Sequence, residues 1–156
     1  MSTVPDLAAQ SRRRIPTQAL LLGAGGAIPF VAFALAVWFA PPAFAAWLQR
    51  ALVAYAMVVL AFVGALHWGF TMKTPEMTER ERWTWMGWSV VPALAAWGAG
   101  ILPFRPAVLL LVVTFVVHLV FDHRMAPVSG LPEWYLRLRR ALTVVAVLAL
   151  VGASLR

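Results

Sequence analysis

Residues Ile15 to Gln49 read IPTQALLLGAGGAIPFVAFALAVWFAPPAFAAWLQ, and none of them is acidic or basic. A helix rising about 1.5 Å per residue crosses a hydrocarbon core of about 30 Å in about 20 residues. The run supplies such a span over residues 17–40, closed by Pro41-Pro42. Arg12, Arg13 and Arg14 precede it. A cleavable signal has an apolar core of only about 7–15 residues, so a retained membrane span is the better reading.

The rest of the chain repeats this pattern of apolar blocks separated by charge. Of its 156 residues 62% are hydrophobic and 12% charged, and mean hydropathy is +0.81. Soluble domains carry about 25% charged residues. The composition therefore excludes a disordered tail and argues against a water-soluble enzyme. Further spans are expected at 51–70, 85–102, 106–121 and 138–155. The fold class expected is all-α: a single integral membrane bundle of five transmembrane helices over residues 15–156, with a basic tail at 1–14. The fourth and fifth spans are short and need snorkelling side chains such as Arg139 and Arg140, or local thinning of the bilayer.

Charge gives the orientation. The net charge is +7, which in a soluble protein would suggest nucleic acid, but here the cations sit between apolar blocks. Ten of the 13 Lys and Arg residues fall on the side of the N-terminus: Arg12, Arg13, Arg14, Lys73, Arg80, Arg82, Arg124, Arg137, Arg139 and Arg140. Arg50, Arg105 and Arg156 fall on the other. The positive-inside rule places the N-terminus in the cytoplasm and the C-terminus across the membrane. Membrane lipids, not nucleic acid, are the partners this distribution implies.

Connections on the outer side are short and proline-bearing, so spans one and two, and three and four, are expected to pair as hairpins. On the inner side Thr74-Pro75-Glu76 reads as a helix start from about Pro75, and Thr78 and Glu81 have capping-box spacing. Trp83, Trp85 and Trp88 mark a membrane entry, where indoles favour the headgroup layer. Leu131 to Arg137 reads as a second interfacial stretch. Gly23, Gly25, Gly26, Ala61, Ala65, Ala96 and Gly100 are candidates for close helix approach within the chain.

Few side chains here are capable of chemistry, and the orientation sets them at one level. His67 lies near the inner end of span two, Ser89 one turn into span three, and His118 and Asp122 one turn apart on span four. Trp68, Trp88, Trp134, Tyr135 and Arg137 lie nearby. Polar residues in a membrane are costly and by default suggest a site. A structural role is preferred, however, because the cost falls toward the interface, where Asp122 can pair with Arg124, Arg137 or Arg139. Three sharper readings compete: axial haem b ligation by His67 and His118, a divalent metal on His67, His118 and Asp122, and a quinone or headgroup pocket at His67, Ser89 and Trp88.

Catalytic signatures are missing. With no cysteine there is no disulfide, thiolate metal site or thiol nucleophile. Neither Ser89 nor Ser129 sits in a nucleophile elbow. Five spans without a visible repeat argue against an inverted-repeat carrier.

A resemblance is carried by Ile15-Pro16 with Ala19 to Gly23 and Ile28-Pro29-Phe30, Gly64-Ala65-Leu66-His67-Trp68-Gly69, Trp88-Ser89-Val90-Val91-Pro92, and Leu131 to Arg139. Together these are similar to the domain of unknown function 3429, a family of bacterial inner-membrane proteins that includes the mitochondrial transmembrane protein 69. The resemblance covers Ile15 to Leu155 and implies a multi-pass protein of the bacterial inner membrane. It places any family-wide role at His67, Trp68, Trp88, Ser89, Pro92, Asp122, Trp134, Tyr135 and Arg137; His118 lies outside the matching motifs. The role expected is a non-catalytic accessory, assembly or scaffold component of a membrane complex, without a cofactor and possessing a membrane-protein partner. The alternative is a haem- or quinone-binding redox protein.

Overall fold

The computed structural model describes residues 14–156. Arg12 and Arg13 of the basic tail lie outside the described residues. Five helices follow one another: α1 (Thr17–Phe39), α2 (Pro42–Met72), α3 (Glu79–Gly100), α4 (Phe104–Ser129) and α5 (Glu133–Ser154). No strand occurs among the described residues.

The helices close a ring in chain order, with α5 packing back onto α1, and α2 also touches α4 and α5. The expected hairpin contacts of α1 with α2 and of α3 with α4 are present, but the most extensive packing joins α2 to α3. Gly64 permits that approach. A Cβ there would lie 2.9 Å from Pro92 Cβ and 3.0 Å from the Ser89 carbonyl oxygen, so no larger residue fits without separating the helices. The close contact thus falls on Gly64, not on Ala61 or Ala65, of which Ala65 is exposed.

Four of the five helices are longer than their expected spans, mostly by earlier starts, whereas α1 matches its span to within a residue. α2 begins nine residues before residue 51, because Pro42 occupies its first turn, where a missing N–H costs nothing. α4 runs eight residues past Phe121 through Asp122, His123 and Arg124, so it is not a short span. It ends at Gly130, whose φ of 63° lets the chain reverse while the Leu131 amide bonds back to the Ala126 carbonyl. α5 starts at Glu133, which makes the expected interfacial stretch its first turn. α3 begins at Glu79, not near Pro75: Thr78 is the N-cap and Thr74 instead donates its hydroxyl to Phe70. The capping box is complete, with the Thr78 amide donating to Glu81 at 2.9 Å and the Glu81 amide donating to the Thr78 hydroxyl at 3.3 Å. The Thr78 side chain, and after it the Thr78 amide, hold the Glu81 carboxyl below its ordinary pKa.

Where five spans are expected, three helices, α1, α2 and α4, are long and apolar enough by themselves to cross a membrane, and α3 and α5 fall short of that in composition. Trp and Gly replace aliphatic residues along α3, and Arg137, Arg139 and Arg140 crowd the start of α5. The bundle's outer surface is apolar nonetheless, with Leu22, Phe39, Val58, Phe62, Trp97 and Leu109 all exposed. The interior is built from small and aliphatic residues such as Leu52, Ala56, Leu60, Ala99 and Leu111.

Candidate functional site

α2 and α4 run in one direction and α3 and α5 in the other, so the last turns of α2, the first turns of α3 and α5 and the second half of α4 meet at one end. There the bundle buries what its apolar surface excludes. His67, Thr71, His118 and Asp122 are fully buried, and Arg139 is 5% exposed. Asp122 is the hub. His67 Nε2 donates to its Oδ1 at 2.9 Å and Arg139 Nε to its Oδ2 at 2.8 Å. The Tyr135 hydroxyl lies 3.5 Å from Oδ1, at the limit of a hydrogen bond. A carboxylate only accepts, so both close contacts are donated to it and three helices are tied through one side chain.

His118 stands beside this hub but is bonded elsewhere. The Trp88 indole donates to His118 Nδ1 at 3.0 Å. An indole N–H is a donor only, so Nδ1 carries no proton and the neutral ring holds its proton on Nε2. That Nε2 has no hydrogen-bond partner and sits 3.9 Å from Asp122 Oδ1. Trp88 stacks on Phe121 with ring centroids 3.7 Å apart, and Trp85 meets the His67 ring edge-on at 6.2 Å.

The sequence-derived cluster is thus brought together in part. His67, Trp88, Asp122 and Tyr135 converge, joined by His118. Ser89 is buried nearby, but its hydroxyl donates to the Met86 carbonyl one turn back. Trp68 is 45% exposed and belongs to a surface groove with Glu79, Arg82 and Trp83. Trp134 is half-buried against Tyr135, and Arg137 faces outward. Arg139, expected to snorkel with Arg140 but also one of three candidate partners of Asp122, is turned inward and makes that pair at 2.8 Å. The spacing of Tyr135, Arg139 and Thr143, four residues apart each time, puts all three on one helical face and is the signal that finds it.

As arranged, the site has no room for a haem between its histidines, and His118 is not set up as a metal ligand. Ligand atoms of His67, His118 and Asp122 lie within 4.8 Å of one another. Metal-bound histidines, however, donate their second N–H outward, whereas His118 accepts there and its Nε2 lone pair is occupied by a proton. For haem, the two imidazoles sit with centroids 4.8 Å apart and planes tilted by 35°, in direct contact, with no room for a porphyrin between them.

An apolar exterior, three membrane-grade helices and a buried ionic cluster at one end define a helical membrane protein. The family model described as "Protein of unknown function (DUF3429)" matches residues 15–155, and the chain belongs to that family. It is similar to "Transmembrane protein 69" of Xenopus tropicalis, with 37% identity over 148 residues, covering 88% of this chain and 54% of that protein. The chain therefore spans about half the length of the curated relative it matches. No solved structure matches.

Proposed function

We propose that the chain is a multi-pass protein of the bacterial inner membrane, with five spans and a cytoplasmic N-terminus, acting as a non-catalytic accessory or assembly component of a membrane complex. The single observation that carries the non-catalytic reading is how the buried polar groups are used. His67 and Arg139 are committed to Asp122, Trp88 to His118, and Ser89 to its own helix. Among the described residues no nucleophile faces a base across a cavity, and the ionic hub instead joins α2, α4 and α5.

Orientation rests on the cations. Lys73, Arg80, Arg82, Arg124, Arg137, Arg139 and Arg140 gather at the end of the bundle that holds the cluster, and Arg50, Arg105 and Arg156 at the other. α3 and α5 are counted as spans because they pack lengthwise within the same ring as the three more apolar helices, and their charged first turns can sit at the headgroup level.

The assembly role is tested by solubilising native membranes in mild detergent and sizing the tagged chain on native gels after mild cross-linking. Co-migration with a larger assembly, lost when the cluster is disrupted, is expected; a free monomer unaffected by cluster variants overturns it. A periplasm-active phosphatase fused after Arg156 is expected to be active, and an inactive fusion overturns the orientation. The haem form of the redox alternative is less well supported, given the contact between the His67 and His118 imidazoles, and a Soret band in the purified protein would restore it.

A further inference from the structure

Beside the ionic hub, on the face of α5 turned toward α1, lies a cavity of about 330 Å³ between α1, α2, α4 and α5. That volume is within the range of about 300–1,000 Å³ typical of small-molecule pockets. Leu22 and Phe62 flank it and are strongly exposed, which marks the side open to lipid, whereas Arg139 and Thr143 line it and are buried. Gly23 and Gly26 leave room along the α1 wall, and Phe30, Tyr55 and Phe115 supply flat aromatic surface.

Two donors in this lining have no partner: Arg139 Nη2 and Thr143 Oγ1. Thr143 is an exception among the helical threonines. Thr71, Thr84 and Thr114 each turn the hydroxyl onto the carbonyl four residues back, at 2.8, 2.9 and 2.7 Å, whereas the Thr143 hydroxyl makes no such bond. Buried donors left unmade are costly, and their coincidence on one apolar cavity calls for an acceptor. The charge of Arg139 is already balanced by Asp122 at 2.8 Å. An anionic head would bring an uncompensated charge into a buried site, whereas a neutral carbonyl oxygen accepts from both donors and leaves the charge balance unchanged.

We propose that this cavity binds the ring of a neutral, carbonyl-bearing membrane lipid of the polyprenyl-quinone class. Its carbonyl accepts from Arg139 Nη2 and Thr143 Oγ1, the ring lies against Phe30, Tyr55 and Phe115, and the tail leaves past Leu22 and Phe62 into the bilayer. The assembly role does not depend on this site, and the site does not involve the histidines.

The full chain in nanodiscs of defined phospholipid tests it, titrated with a decyl-substituted benzoquinone and separately with oleate, reading thermal midpoint and tryptophan fluorescence. A saturable response to the quinone is expected, and none to oleate. Thr143→Val should weaken quinone binding about three- to tenfold, as for loss of one hydrogen bond, without lowering the ligand-free midpoint. Gly26→Leu should abolish binding while the protein still folds, since a Cβ there meets only the Tyr55 hydroxyl at 3.9 Å. No saturable quinone response, or one unchanged in both variants, overturns the proposal. A stronger response to oleate assigns the site to an anionic lipid and overturns the neutral head, and equal responses mean unspecific tail partitioning and overturn it as well.

Discussion

The two ends of the bundle are held together by different physics. At one end Asp122 gathers His67 and Arg139 from two other helices, and two imidazoles and two indoles pack around it. At the other, Leu48, Leu52, Ala56, Ala99, Ala107, Val108 and Leu111 form an apolar core, and the one guanidinium that reaches in, Arg156, caps carbonyls at the end of α1, including Ala40 at 2.9 Å. Apolar contact is tolerant of register, because one methyl packs much like another. A buried carboxylate with two donors at fixed positions is not. The ionic end sets which helix faces which, and the apolar end adds cohesion without choosing partners.

If that division is right, the largest effect belongs to the hub. Asp122→Ala leaves Arg139 buried without its counter-charge and is expected to cost about 3–5 kcal/mol; thermal unfolding in detergent measures it, with Asp122→Ala combined with Arg139→Met recovering much of the loss. At the opposite end Leu52→Ala is expected to cost about 2–4 kcal/mol by opening a cavity, while leaving distances between tagged helices unchanged where Asp122→Ala alters them. Equal scrambling by both variants would erase the contrast. Gly64→Ala, between the two regions, should cost about 1–3 kcal/mol, because Pro92 and a backbone carbonyl block the new methyl. The smallest effect is expected at the cap of α3, outside both regions, where Thr78→Ala should cost about 1 kcal/mol. That contribution has a pH signature. With the Glu81 carboxyl held below its ordinary value, the stability it adds is present above that ordinary pKa and is lost as pH falls through the lowered one. The protection factors of amides in the first turn of α3, taken against their intrinsic exchange rates, should therefore fall in acid and do so less in Thr78→Ala.

How far this was legible in the sequence varies between regions for the same reasons. Apolar blocks announce themselves, so five helices in antiparallel order followed from hydropathy and proline placement. Their ends did not, because hydropathy ends where the first charge appears, while a helix continues through a charge that finds a partner; α4 continues past Phe121 through Asp122 in this way. In the sequence the hub is signalled by the spacing of His118 with Asp122 and by Arg139 as one of three candidate partners of Asp122, and the spacing of Tyr135 with Arg139 singles that partner out. What sequence alone cannot supply is the facing of separate helices. Trp68 and Ser89 looked equivalent to His67 and Trp88 along the chain, yet one points outward and the other bonds within its own helix. The unpartnered hydroxyl of Thr143 is a purely three-dimensional fact, since most threonines in this chain satisfy themselves locally.

Among the five helices α1 packs mainly on α2 and α5, with Phe30 also meeting Phe115 of α4 edge-on at 6.3 Å, and Gly23 in α1 lies against Leu138 and Leu142 of α5. During synthesis, the translocon must therefore release α1 well before its second neighbour has left the ribosome. Until α5 arrives, a glycine-rich flank remains uncovered, and α1 is held by α2 and by the contact of Phe30 with Phe115. Long-range closures of this sort come late in folding, so a quality-control protease acting on nascent membrane chains would find its opening there, and a stalled ribosome short of α5 would yield a product that never seals.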